Sequence, residues 1–328
     1  MSYTAESGNV GIAIQPVKGV FTAPTDFMKV QSVEINPDGE KLVPDPEIGG
    51  ISDIDSIHQG TYKLAGSIDT YVRPEAIGVL MRGALGEYTA SGAVATGAYL
   101  HNFKPASGSL PWISVKKSVS DNVQTFDYTD CKVAGFTFDI NASEFCSAKF
   151  DITGISDAVG TAVVPTYETA PLLVATKATI NIGGVPVSVK SCSVEYKNNL
   201  DDGDFRVGSR FLGDITEKRR ELDIKMDVVL DTTSELYKKA FYGAANATSA
   251  GFSVYASSVD IILESPTQIA TSGLYYKMLF NIKNAVFMAA PTPASGDDLV
   301  VIPLELKATK VTGQNIIDIK IWNGKTTY

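Results

Sequence analysis

A strand, a long polar loop, a second strand, a short helix and a glycine occur in that order twice in this chain, and this constrains the fold more than any single motif. The first series runs through Val30 to Ile35, a loop from Asn36 to Gly60, Tyr62 to Val72 and Pro74 to Leu85, stopping at Gly86. The second runs through Lys190 to Tyr196, a loop from Asn198 to Lys218, Arg220 to Leu230 and Thr233 to Tyr242, stopping at Gly243. Aligned on Glu34 and Glu195, the glycines follow at nearly equal distances. A repeat of this kind is read before anything else, because missing it miscalls the whole fold.

The strands carry the clearest signal. In Leu222 to Leu230 the apolar Leu222, Ile224, Met226, Val228 and Leu230 alternate with Asp223, Lys225, Asp227 and Val229, the period of a half-buried strand. The same alternation marks Tyr62–Val72, Gly135–Ile140, Ile302–Ala308 and Ile317–Trp322. Further strands are expected at Trp112–Val119, Cys131–Ile140 and Phe145–Ile155 in the first half. Phe252–Glu264, Tyr275–Met288 and Leu299–Thr309 follow in the second. Sheets with one dry and one wet face are characteristic of antiparallel architecture.

The two helices have ordinary start and stop chemistry. Pro74 sits at a first-turn position, Ile77, Leu80, Met81 and Leu85 form a stripe, and Gly86 ends it. Thr233 or Ser234 caps the second, Leu236, Ala240 and Phe241 form its stripe, and Gly243 closes it. The fold class is therefore mostly β, with tandem antiparallel β-sandwich or barrel modules, each bearing one flanking helix and one long inter-subunit loop. Gly160, Pro165 and Pro171 interrupt the pattern, which divides the chain into an N-terminal arm (1–28), a first module (29–160), a linker (161–176) and a second module (177–328).

The long loops depart most from ordinary domains, where connections beyond about 12–15 residues are usually functional or disordered. A loop of about 24 residues that goes out and returns reaches about 40 Å when extended, enough to lie along a neighbouring subunit. The first carries Leu42, Val43, Ile48, Ile51, Ile54 and Ile57, an apolar set that needs a covering partner. It also carries Asp38, Glu40, Asp45, Glu47, Asp53 and Asp55 against Lys41 alone. The second holds Asp201, Asp202 and Asp204, then Arg206 and Arg210, and ends on Lys218, Arg219 and Arg220. The opposite charges of the two loops suggest mutual docking.

Composition narrows the function. With 28 Lys and Arg against 37 Asp and Glu, the net charge is −9, which argues against a surface that grips phosphate backbones. No run of about 20 apolar residues is present to span a bilayer, and Met1–Val10 lacks the features of a secretory signal. The product is therefore expected in the cytoplasm when made, without membrane insertion. Cys131, Cys146 and Cys192 lack any Cys-x-x-Cys pairing and read as small buried apolar groups. Asn141-Ala-Ser143 and Asn246-Ala-Thr248 match glycosylation acceptors by chance in such a context.

Catalytic chemistry finds little footing. The histidines are His58, read as a loop or interface residue, and His101, read as a hydrogen-bonded structural residue. No Gly-x-Ser-x-Gly elbow, Gly-x-Gly-x-x-Gly turn, Walker loop or His-Glu-x-x-His helix appears. The acids around Gly203 do not follow a calcium-loop spacing, since Leu200 takes a ligand position, and they read as a solvated turn. No catalytic residue, cofactor or metal is expected. A remote carboxylate pair, as in a glycoside hydrolase, would require a cleft.

The series Glu34-Ile35, the loop Pro44 to Gly60, Gly66-Ser67, and Pro74, Ile77, Leu80, Ala84, Leu85 and Gly86 resembles the tail tube (major tail) proteins of long-tailed bacteriophages. The resemblance covers most of the chain and is one of arrangement. It implies a β-sandwich with a flanking helix that assembles into rings, inner strands joined around a channel, and long loops bridging stacked rings. A duplicated chain would then build a pseudo-hexameric ring from three copies. It implies as partners other copies of the chain, a tape measure and a terminator protein, DNA in transient passage, and a place in the virion tail. Ser52 precedes Asp53 where the family commonly has an arginine.

On this reading Leu42, Val43, Ile48, Ile51, Ile54, Ile57, Asp201, Asp202, Asp204, Arg206 and Arg210 are inter-ring candidates. Asp69, Asp223 and Asp227 are candidates for the lumen, which should be neutral to acidic so that DNA does not stick. The alternative is a capsid decoration or receptor-binding β-sandwich.

Overall fold

The computed structural model describes residues 8–50, 53–54, 56–120, 124–230, 235–244, 247–291 and 299–328. Strands occupy 55% of it and helices 5%, so the chain is mostly β, and every pairing between its strands is antiparallel.

The first half contains β1 (Asn9–Ile14), β2 (Phe27–Met28), β3 (Ser32–Val33), β4 (Asn36–Leu42), β5 (His58–Tyr71), α1 (Gly78–Leu85), β6 (Gly86–Ala95), β7 (Ala98–Pro105), β8 (Ile113–Val119), β9 (Gln124–Asn141) and β10 (Ser147–Val159). A 3-10 turn at Ala175–Lys177 leads to β11 (Thr179–Ile182), β12 (Val185–Pro186), β13 (Val189–Lys197), β14 (Leu200–Asp201), β15 (Thr216–Glu217), β16 (Glu221–Val229), α2 (Glu235–Tyr242), β17 (Ala256–Gln268), β18 (Tyr275–Ala289), β19 (Val301–Ala308) and β20 (Asp318–Asn323). α1 is shorter than its sequence pattern. Pro74 to Ile77 form a turn before α1, and the caps Thr233 and Ser234 lie outside the described residues.

The two halves use the same pairing scheme. β3 and β4 pair with β5, β5 with β10 and β10 with β9; correspondingly β13 pairs with β16, β16 with β19 and β19 with β18. Their irregularities fall at matching places. Opposite Asp151 and Ile152, β9 skips Ala134; opposite Glu305 and Leu306, β18 skips Met288. The pairs Ile113↔Cys131 and Val115↔Tyr128 enclose a bulge, as do Ser257↔Ala285 and Val259↔Ile282. Bulges re-aim a strand and are specific features, so their repetition is strong structural likeness. Ser32 donates to Asp69 and Ser191 to Asp227, each at 2.6 Å. This register matches Ser32 with Ser191, and hence Glu34 with Ser193, two residues away from the alignment on Glu34 and Glu195.

Two seams join the halves. β9 pairs with β13 from Gly135↔Lys197 to Asn141↔Ser191, and β20 pairs with β7 from Ile319↔Phe103 to Asn323↔Tyr99. Gly135 is required at the first seam, because a Cβ there would lie 2.5 Å from the Tyr196 carbonyl. Phe136 stacks on Tyr196 at 5.0 Å and Phe138 meets Phe280 edge-on at 4.8 Å, making one continuous core. The buried Asn198 amide donates to the carbonyls of Ala84 (2.9 Å) and Val133 (3.0 Å), satisfying the end of α1 from the other half. Tyr328 donates to the Pro74 carbonyl at 2.7 Å, and Lys325 bridges Asp26 (2.8 Å) and Glu168 (3.1 Å).

The three cysteines are free and buried, and burial pushes the thiols of Cys146 and Cys192 up to about 12. His101 is fully buried: Tyr88 OH donates to Nδ1 at 2.9 Å, while Nε2–H is shared by the Asn323 side-chain oxygen (3.0 Å) and the Lys325 carbonyl (2.9 Å). This is a structural role, and burial lowers its pKa.

Candidate assembly surfaces

The period-two strands present one continuous polar face across both halves. Register places Asp69, Lys149, Thr137, Glu195, Asp223 and Lys307 side by side in one row. The next row is Ser67, Asp151, Gly135, Lys197 and Glu221, and on the other side lie Ser147, Asp139, Ser193, Lys225 and Glu305. Acids outnumber lysines in this face. Lys307 bridges Glu221 (3.1 Å) and Asp223 (3.3 Å), and Lys197 holds Glu195 at 2.6 Å. Desolvation raises the pKa of Asp151; Lys149 opposes this, while Asp69 and Glu195 add to it. The sequence candidates Asp69, Asp223 and Asp227 thus share one face, Asp69 and Asp227 each taking a serine hydroxyl.

The first long loop is an outgoing hairpin. All seven residues of β4 are exposed, and β4 pairs with the start of β5 out to Leu42↔His58. Lys41 and Gln59 are hydrogen-bonded across it. Beyond it Leu42, Val43, Ile48, Ile54 and Ile57 are exposed apolar side chains, and Ile51 lies outside the described residues. His58 is exposed on the same hairpin.

The second loop behaves differently from the sequence expectation of an arm ordered only against another molecule. It folds back on the first half. Leu212 and Ile215 are buried against Ile155 and Trp112, and the Arg210 carbonyl accepts from Tyr62 N–H at 2.8 Å. Arg210 lies 5.2 Å over the Tyr62 ring, and Tyr62 meets Phe211 edge-on at 5.4 Å. The reason is Lys132, whose side chain is 2% exposed and has no water to solvate it. Its ammonium finds Glu217 at 2.6 Å, the Ile215 carbonyl at 2.8 Å and Ser109 at 3.2 Å, 4.4 Å over Trp112. Burial acts to raise the Glu217 pKa, but Lys132 and the Leu110 N–H outweigh it and lower it.

The second loop therefore meets the base of the first arm, through Lys63–Asp202 (2.6 Å), Arg210 on Tyr62 and the Arg210 guanidinium donating to Gln59 (3.4 Å), rather than through the acids of the first loop. Asp201 is held by Lys218 (3.1 Å) and Asp204 by Arg206 (2.6 Å), so each carboxylate of the Gly203 turn has its own cation. Among the described residues no group of three or more His, Cys, Asp or Glu could hold a metal ion. The tip, with Arg206 and Val207, remains exposed.

An acidic sheet face, an apolar outgoing arm and a braced second arm define a protein whose chemistry lies in extended surfaces: a structural β-protein that associates. The sequence model of the phage tail tube protein family matches residues 6–308, and the chain belongs to that family. It is a structural virion protein, a component of the tail tube through which the genome is delivered, and it self-assembles into that tube with other tail proteins. No curated protein matches this chain. No described helix is long and apolar enough to cross a membrane.

Proposed function

We propose that three copies of this chain form a pseudo-hexameric ring with the acidic sheet face, including Asp69, Asp223 and Asp227, turned to the lumen. The observation that carries this reading is that one polar face runs unbroken through both halves, with matched bulges, so one chain supplies two equivalent sectors of a channel wall. The sectors are the modules 29–160 and 177–328, preceded by the arm 1–28 and joined by 161–176. A face richer in carboxylates than in lysines repels phosphate, so DNA passes without counterion-release binding. Closing the sheet into a ring also removes its unpaired edges, and heterologous contacts close when the rotation does.

Rings stack through the first arm, whose Leu42, Val43, Ile48, Ile51, Ile54 and Ile57 are buried on the adjacent ring. The second-loop residues Asp202 and Arg210 brace the base of that arm, Asp201 holds the second loop together through Lys218, and Asp204 and Arg206 at the tip meet the neighbouring ring. The tube encloses a tape measure protein and ends on a terminator protein. The protein is a non-enzyme made in the host cytoplasm. No observation favours a capsid decoration or receptor-binding module. Electron microscopy of purified protein tests the ring reading: stacked three-chain rings are expected, and a species that stays monomeric at every concentration refutes it.

A further inference from the structure

The seam inside the chain shows what its own free edge accepts. At the seam the hairpin between β9 and β10 sits in the mouth of the second half, between β13 and β11. Ala142 N–H donates to the Lys190 carbonyl (3.0 Å), Ala175 N–H to Glu144 (3.1 Å) and Cys146 N–H to Leu173 (3.0 Å). Ile180, Val187 and Val189 line the cleft that remains there. Counting through the matched registers, their counterparts in the first half are Val10, Met28 and Val30. These three line a groove of ≈ 770 Å³, walled also by Val33, Val119 and Tyr167. β3 borders it with one edge bonded to β5 and the other, among the described residues, unpaired. Among the described residues the same mouth is filled in one half and open in the other.

We infer that this groove edge is the docking site for a second copy of the chain, which brings the end of its β18 and the residues after it, Ala289 to Pro291, against β4 as β9 is brought against β13 internally. This rests on the ring assembly proposed above and names its joint. The register follows from the internal seam: Ala289 of one copy opposes Asp38 of the next, and Pro291 opposes Asn36, as Gly135 opposes Lys197 and Thr137 opposes Glu195.

The prolines fit this arrangement. The bonds from Ala142 to Lys190 and from Asn198 to Ala134 give the even-numbered residues of β9 the bonds to β13, so Thr137 directs its N–H to β10. Pro291, its counterpart, lacks an N–H only on the side of β19, where Pro303 is also a proline, and leaves the outward edge able to bond. Ladder pairing between β18 and β19 stops at Ala289↔Glu305, whereas β9 and β10 pair on to Asp139↔Ser147. Ala289 stands where the internal seam needs Gly135, so the joint between copies is spread at that end.

The test is a disulfide between copies. Asn36 and Pro291 are exposed, and the counterpart pair Thr137↔Glu195 is of the close, non-bonded kind whose Cβ separation suits a disulfide. The double variant Asn36→Cys with Pro291→Cys should form linked dimers and trimers on mild oxidation of assembled rings, with no larger linked species, and none in dilute monomer. Wild-type rings by microscopy with no linkage in the variant's rings would overturn the groove assignment and leave the ring reading standing. Absence of rings from the wild type would overturn both. Val119→Arg at the groove rim should abolish assembly while the monomer keeps its thermal midpoint; rings formed by this variant as readily as by wild type would also overturn the assignment.

Discussion

Replacing Lys132 with methionine tests how the second arm is held. The substitution keeps the volume but removes the cation that meets Glu217 at 2.6 Å and the Ile215 carbonyl at 2.8 Å, leaving a largely buried carboxylate with the Leu110 N–H at 2.9 Å. Breaking a buried ion pair from one side costs about 3–5 kcal/mol. At an unfolding entropy of about 2.1 cal/mol/K per residue, a 328-residue chain unfolding as one unit has about 0.7 kcal/mol/K, so the midpoint should fall by about 4–7 °C. Lys132→Met with Glu217→Gln keeps an acceptor for Leu110 without a stranded charge, and should recover a good part of the loss.

The pH dependence has a defined sign. The Glu217 pKa is lowered in the folded chain, so its contribution is complete above the ordinary 4.5 and is lost as pH falls through the lowered value. Without Lys132, burial is left to raise the Glu217 pKa in the variant, so the gap between wild type and Lys132→Met should be full in mild alkali and shrink as pH falls through that raised value. Thermal melts read the shift, and amide exchange over 200–218 should accelerate in the single variant. A shift below about 1 °C, or unchanged exchange, would refute this account of how the arm is fixed.

Three further outcomes are expected. His101 has a folded pKa below its ordinary 6.5, so its contribution to stability is complete above that value and is lost as pH drops toward the lowered one; the midpoint should decline between pH 7 and 5, and His101→Gln should start lower at pH 7 with a shallower decline. Changing Ile48, Ile54 and Ile57 together to aspartate should leave the melting curve within about 1 °C, since these side chains are exposed, but give single rings instead of tubes in sedimentation. Asp151→Lys with Glu305→Lys, both exposed on the polar face, should yield tubes that retain double-stranded DNA at low salt and release it at high salt, read by co-sedimentation.

Much of the scaffold was legible because alternation with period two is a direct consequence of one face being buried. Leu222 to Leu230 illustrates it: the strand was read within one residue of β16. The same period hides a shift of two, which keeps every side chain on its face, and this is why alignment on Glu34 and Glu195 missed the match of Ser32 with Ser191. β6 gave no signal, because Gly86–Ala95 is rich in small residues and mostly exposed. The fold-back of the second loop depends on Lys132, 85 positions from Glu217, whose burial no local pattern reveals. Asp69 and Asp223 were readable as polar-face residues, but their row with Lys149 and Lys307 required the register of six strands.

Helical reconstruction of assembled tubes tests the central claim most directly. The account predicts three chains per ring, with Asp69, Asp223 and Asp227 on the channel wall and the 36–60 hairpin crossing to the adjacent ring. Six chains per ring, or the same sheet face on the outer surface of the tube, would contradict it.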